Sequence, residues 1–248
     1  MIRNIKTIMR QDREPYRIPR RVQDVIPIQC VWPDGIFKVG IKFSKTYRFT
    51  DINYKVASRN DKETMFLAYS ELLNSLDCAA TTKLTICNRR QSQADFEQSV
   101  LMPMREDGLD KYRREYNQML MDKATGANGI TQEKYVTITV YKRDIEDARA
   151  YFTRIGADLT ARFAALGSKC VELDATDRLR ILHDFYRAGD EGNFHFDMAD
   201  MARKGHDFRD YICPDGIEKH SDYLKLGDRY CRVLFLKEYA SYIKDAMI

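Results

Sequence analysis

Apolar and polar residues alternate with period two in some stretches of this chain and recur at helical spacing in others. Residues 36–43 place Phe37, Val39, Ile41 and Phe43 on one face and Lys38, Gly40 and Lys42 on the other, which predicts a half-buried strand. Pro33-Asp34-Gly35 just before it carries turn chemistry, so Val25 to Cys30 is expected to form the first arm of an N-terminal β-hairpin. A further strand is expected around Tyr47 to Asp51. Asn60 with Glu63 three residues later is a capping-box pattern, and Met65, Tyr69, Leu72 and Leu76 then repeat at helical spacing to about Asp77. Leu84 and Ile86 alternate with Lys83, Thr85 and Cys87 in the next strand.

The same order returns later in the chain. Val136, Ile138 and Val140 alternate with Thr137 and Thr139, and a cap at Asp144 opens a helix. Its apolar stripe is Ile145, Ala148, Phe152, Ile155, Leu159, Phe163 and Leu166, and Gly167 ends it. Val171 and Leu173 form a short strand, and a further helix from about Ala175 to Arg187 carries His183, where solvent exposure or a helix-end interaction would account for it. Two strand-helix-strand units in tandem predict an α+β fold of the ferredoxin-like, split βαβ kind, a four-stranded sheet with both helices on one face.

Between the two halves lies a polar helical insertion, about residues 90–130, broken at Pro103 and Gly108. Leu109, Tyr112, Tyr116 and Met119 share one face of its second helix. Two readings of this segment stand: a hairpin folded back on the sheet, or a partner surface, for which Tyr and Met are suited by their adaptable contacts. Gly126-Ala127-Asn128-Gly129 is read as a turn. Pro33-Asp34-Gly35-Ile36 recurs as Pro214-Asp215-Gly216-Ile217, the second copy leading toward a strand from Tyr230 to Phe235. Only 31 residues follow Ile217, so this second β unit is expected to be truncated and the chain to be a fragment of a longer protein. The expected domains are a basic arm (1–22), the α+β domain with its insertion (23–190), and a helical linker with the start of the second β unit (191–248).

Charge is unevenly distributed. Arg3, Lys6, Arg10, Arg13, Arg17, Arg20 and Arg21 face only Asp12 and Glu14, a net of +5 in an arm of 21 residues, while the whole chain of 248 carries +4. Such an arm suits anionic lipid or nucleic acid, both dense in phosphate, or it is a solvated terminus. No apolar run approaches the roughly 20 residues that cross a bilayer, and no secretory leader pattern is present, so a cytoplasmic location is expected. The six cysteines are scattered without a C-x-x-C pair, and are expected to be buried thiols, not zinc ligands or a redox pair.

Catalytic signatures are missing. None of the twelve glycines precedes a lysine, so no Walker loop can cradle a nucleotide phosphate. There is no G-x-S-x-G elbow, no carboxylate pair in an apolar setting, and His195 with Asp197 and Asp200 is a chance-level cluster for a metal. The basic-glycine-aromatic signature of RNA-stacking sheets is also lacking, so Tyr47, Phe49 and Tyr135 are expected in core or edge packing. No cofactor is expected in this chain.

Val25 to Tyr54, the strand Tyr135 to Tyr141 with its following helix, and above all Tyr223-Leu224-Lys225-Leu226-Gly227-Asp228-Arg229-Tyr230-Cys231-Arg232-Val233-Leu234 resemble the N-terminal region of conjugal-transfer ATPases of type IV secretion systems. The resemblance implies a hexamer-forming motor of a mobile genetic element whose ATP and Mg site lies in a C-terminal domain outside this chain. It also implies a non-catalytic docking and assembly role here, peripheral at the inner face of the bacterial membrane, with membrane components of the secretion channel, the chain's own motor domain and other copies as partners in DNA transfer. The basic arm would suit lipid at that location. The alternative reading is a nucleic-acid-binding module that uses the same arm.

Overall fold

The computed structural model describes residues 19–52, 54, 56–90, 100–126, 130–236 and 238. They divide into two compact units, one spanning Ile28–Ile212 and the other formed by the residues before it and after it.

The larger unit is α+β. A short hairpin pairs β1 (Cys30–Val31) with β2 (Phe37–Val39) through the expected Pro-Asp-Gly turn. Trp32 N–H donates to Ile36 O and Gly35 N–H to Trp32 O, with Gly35 at φ +75°. The first arm is Cys30–Val31 and not Val25 to Cys30, because β2 is only three residues long before the chain turns at Gly40 and offers no partner upstream of Gln29.

The run 36–43 is two strands, not one. Gly40 adopts φ +59°, and Val39 faces Lys42 across a two-residue loop that starts β3 (Lys42–Phe49). A glycine first in such a loop turns the chain without breaking the period-two pattern, which is why the alternation reads as continuous. The consequence for packing is large. Phe37 pairs with Ser44 and Phe43 with Lys38, so the two phenylalanines point to opposite faces of the sheet.

Helix α1 (Arg59–Asn74) follows, capped by Ser58, whose Oγ accepts from Asp61 N–H at 3.2 Å; Asn60 lies inside the helix. Strand β4 (Thr81–Arg90), helix α2 (Asp110–Gly126) and strand β5 (Ile130–Tyr141) come next. Helix α3 (Ile145–Ala165) opens on Asp144, which accepts from Asp147 N–H at 2.8 Å, and closes at Gly167 with φ +77°. Strand β6 (Cys170–Glu172) and helix α4 (Ala175–Tyr186) complete the frame, and α5 (Met198–Lys204) follows.

All pairings are antiparallel. The path through the sheet is β1-β2-β3-β5-β4, and β6 pairs with the far end of β3, beyond where β2 stops. One face carries the core: Phe43 and Tyr47 of β3 and Val136, Ile138 and Val140 of β5 pack with Leu72 of α1 and the stripe Ala148, Phe152, Ile155, Leu159 and Phe163 of α3. Removing these apolar surfaces from water, at roughly 25 cal/mol per Å², is what holds the two helices to the sheet. Tyr47 and Phe49 are packing residues as expected. Tyr47 is fully buried and donates to Phe152 O at 3.3 Å, and Phe49 stacks on Phe163 at 4.9 Å.

The core face also holds an ion pair, Lys45 Nζ to Glu172 Oε2 at 2.5 Å, with the lysine buried and the glutamate half open to water. Gly156 of α3 lies over it, and a Cβ there would collide with Glu172 Oε1 and press on the Tyr47 hydroxyl. Helix and sheet approach closely at this point because the residue has no side chain.

The smaller unit holds a meander of β7 (Ile217–Lys219), β8 (Leu224–Leu226) and β9 (Arg229–Cys231). The β8–β9 loop is again two residues with glycine first, Gly227 at φ +57°. Pro214-Asp215-Gly216 leads directly into β7. The expected strand from Tyr230 to Phe235 is cut to Arg229–Cys231, because β8 begins at Leu224 and offers no partner beyond Cys231.

Candidate docking surface

Helix α2 is positioned by the polar segment in front of it. Asn117 clamps Met102 with both ends of its amide, accepting from Met102 N–H and donating to Met102 O, each at 2.9 Å. Asp110 accepts from the N–H groups of Arg105 and Glu106 at 3.1 and 3.0 Å. Arg113 then reaches Asp107 at 2.5 Å and Asp110 at 2.6 Å. The hydrogen bond from Arg113 holds the Asp107 carboxyl down at about 2, and the backbone donors of Arg105, followed by Arg113, lower that of Asp110. Charge-assisted bonds of this kind fix loop and helix to each other locally.

With that segment held on one side of α2, the predicted stripe faces water. Tyr112, Tyr116 and Met119 are 66%, 44% and 43% exposed, and Leu109 is exposed beside them. Residues at i, i+4 and i+7 form one helical face, the spacing by which an amphipathic helix seats in a partner's groove. The stripe is therefore not covered by the sheet. Residues 91–99 and 127–129, which hold the start of the insertion and the expected turn beyond Gly126, lie outside the described residues, while Gly126 is the last residue of α2.

Of the basic arm, Arg3, Lys6, Arg10, Arg13 and Arg17 also lie outside the described residues. Arg20 and Arg21 are exposed, and the Arg21 backbone N–H donates to Asp24 at 3.1 Å. A second exposed apolar feature is β4, the last strand of the sheet path. Leu84 and Ile86 point to the helix-bearing side, yet both remain open to water.

The histidines are placed by packing. Of the two readings for His183, the helix-end position holds and solvent exposure does not, since the residue is buried in the last turn of α4. Its ring lies 5.0 Å from Phe194 and its Nδ1 3.2 Å from Asp184, and burial lowers its pKa. The reason is register: His183 follows Arg178 and Leu179 on the inward face of the helix. Asp197 caps α5 by accepting from Ala199 N–H at 2.8 Å, and His195 Nδ1 lies 3.0 Å from Asn193 O. Among the described residues no group of three His, Cys, Asp or Glu side chains is arranged to hold a metal ion. Among the described residues no two cysteines are joined in a disulfide. Cys170 and Cys213 are buried as expected, whereas Cys30 and Cys78 are exposed, since each stands at a chain turn or short edge strand that no layer covers.

Sequence reasoning missed two charged residues that the fold buries, Lys45 and Arg178. The signal for Arg178 was present: it shares a helical face with Ala175, Leu179 and Leu182. Tyr135, expected in packing, is buried and donates to Glu133 at 2.6 Å. Among the described residues no helix is long and apolar enough to cross a membrane. No protein-family model matches the chain, and no curated protein matches it.

Proposed function

We propose that this chain is the non-catalytic docking and assembly domain of a conjugal-transfer ATPase of a type IV secretion system. In this reading it holds the motor at the cytoplasmic face of the membrane while DNA is transferred. The observation that carries the reading is the Tyr112, Tyr116 and Met119 face, held outward by a clamped loop and left uncovered by the sheet. Two further features support it. The strand order β6-β3-β5-β4, with α1 and α3 joining alternate strands, is the order a ferredoxin-like split βαβ arrangement produces. The segment Tyr223 to Leu234 that bears the family resemblance centres on the β8–β9 hairpin and its glycine turn.

The partner would be a membrane component of the secretion channel, and the basic arm would add attraction to anionic lipid. The test uses the purified chain and a purified channel component in detergent. Binding is expected to survive 0.5 M salt in part, through its apolar stripe, and to be lost in the triple variant Tyr112→Ala, Tyr116→Ala, Met119→Ala. Unchanged binding by that variant would remove the assignment of this surface, and ATP turnover by the purified wild-type chain would remove the non-catalytic reading.

The net +5 of residues 1–21 favours a second reading, a nucleic-acid-binding module. Its signature is a DNA affinity that falls steeply with salt and disappears on deletion of that arm.

A further inference from the structure

The sheet face opposite α1 and α3 is lined by hydroxyls. Thr46 of β3 and Thr137 of β5 sit side by side, their Oγ1 atoms 2.9 Å apart, and Thr85 and Lys83 of β4 continue the surface. Helix α4 lies along this face and leaves a groove of about 230 Å³ between them. Arg178 projects from the helix into its wall. Phe37, Val39 and Leu182 make the remaining wall apolar.

Arg178 is unusual in its surroundings. It is 9% exposed, stacks 3.9 Å from the centre of the Phe37 ring, and donates from Nη1 to Gly35 O and Ser44 O at 2.7 Å and from Nη2 to Ser44 Oγ at 3.1 Å. A guanidinium has five N–H donors, so these bonds leave part of its donor capacity unused. Among the described residues no acidic side chain pairs with Arg178 or with Lys83. A buried cation without a counter-charge carries a desolvation cost that neutral acceptors offset only in part. Burial pushes the Arg178 pKa down to about 9, which still leaves it charged at neutral pH. The carboxylate elsewhere on this face, Glu133, is engaged by the Tyr135 hydroxyl and lies 3.9 Å from Arg48, so it does not balance the groove.

We propose that this groove is a binding site for a small organic oxyanion, a phosphate monoester or a carboxylate on a short apolar body. The anionic head sits between Arg178, Lys83 and the threonine hydroxyls, and the body lies against Phe37, Val39 and Leu182. Two cations and several hydroxyl donors with no acid among them select negative charge. The apolar wall selects against a bare inorganic ion. The volume lies below the roughly 300 Å³ at which drug-sized pockets begin, which limits the ligand to a small one.

The test titrates the full chain with phenyl phosphate, benzoate and the neutral benzamide at constant ionic strength, following heat and the melting temperature. At least one of the two anions is expected to bind saturably and raise the melting temperature; which of them binds more tightly identifies the head group, and benzamide is expected to do neither. Lys83→Met, at an exposed position that leaves the core intact, is expected to weaken the anion about fivefold, the upper end for an exposed ion pair. Thr137→Val is expected to weaken it as well, while Arg20→Met, outside the groove, leaves it unchanged. No saturable binding of either anion, equal binding of benzamide, or an equal loss in Arg20→Met and Lys83→Met would overturn the proposal.

Discussion

The tetrapeptide Pro-Asp-Gly-Ile occurs twice, and the structure gives its two glycines different physical roles. Gly35 stands at φ +75°, and a Cβ there would run into Leu173 O and the Asp174 backbone. Gly216 has an ordinary φ, and a Cβ there would meet nothing within 4 Å. Gly35→Ala therefore imposes left-handed backbone on an L-residue, about 1 kcal/mol. It also pushes apart the junction of β6 and α4. That junction holds the Ala175 N–H bond to Pro33 O and the Asp174 cap on Asp177 N–H, each worth about 1 kcal/mol. The sum is a loss of about 3 kcal/mol. Gly216→Ala is expected to lie within about 0.5 kcal/mol of wild type. Urea unfolding followed by far-UV circular dichroism and by fluorescence of Trp32, the single tryptophan, measures both. With a slope of about 1–3 kcal/mol per molar, Gly35→Ala shifts the midpoint down by at least about 1 M. Midpoints for the two variants that agree within error would refute the argument from steric environment.

Other perturbations test the charged interior and the surface. Glu172→Gln strands the buried Lys45 ammonium and is expected to cost about 1–2 kcal/mol, reduced from a fully buried pair because the glutamate is half exposed. Lys45→Met costs less, since Glu172 then turns to water; a thermal melt of both variants checks that order. Arg178→Met removes the donor from two carbonyls and a hydroxyl, for about 2–4 kcal/mol, and Arg178→Lys is expected to restore less than half, since an ammonium cannot reproduce the fork. Burial places the His183 pKa below its usual 6.5, so the unfolded chain binds that proton more readily than the folded one. Stability therefore falls as pH drops from about 6.5 through the folded pKa, and His183→Gln flattens this part of the stability–pH curve measured by urea titration. Tyr112→Ala and Tyr116→Ala are expected to leave the unfolding free energy, measured by urea titration, within about 0.5 kcal/mol of wild type, because both rings already face water.

What the chain's local pattern determined is the order of strands and helices in the two strand-helix-strand units. Period two at Val136 to Val140, the apolar stripe of α3, the Asp144 cap and the Gly167 stop depend on neighbours a few residues apart, and such short-range signals are legible without a fold. The Tyr112, Tyr116 and Met119 face was legible for the same reason. Tertiary structure alone decided where alternation stops being one strand: the Gly40–Ile41 loop keeps the period while reversing the chain, so Phe37 and Phe43 part to opposite faces. It alone brought Lys45 to Glu172, 127 residues apart, and Arg178 to the carbonyls of Gly35 and Ser44. The burial of a charge and the shape of a groove are properties of surfaces brought together by long-range strand pairing, and no local spacing encodes them.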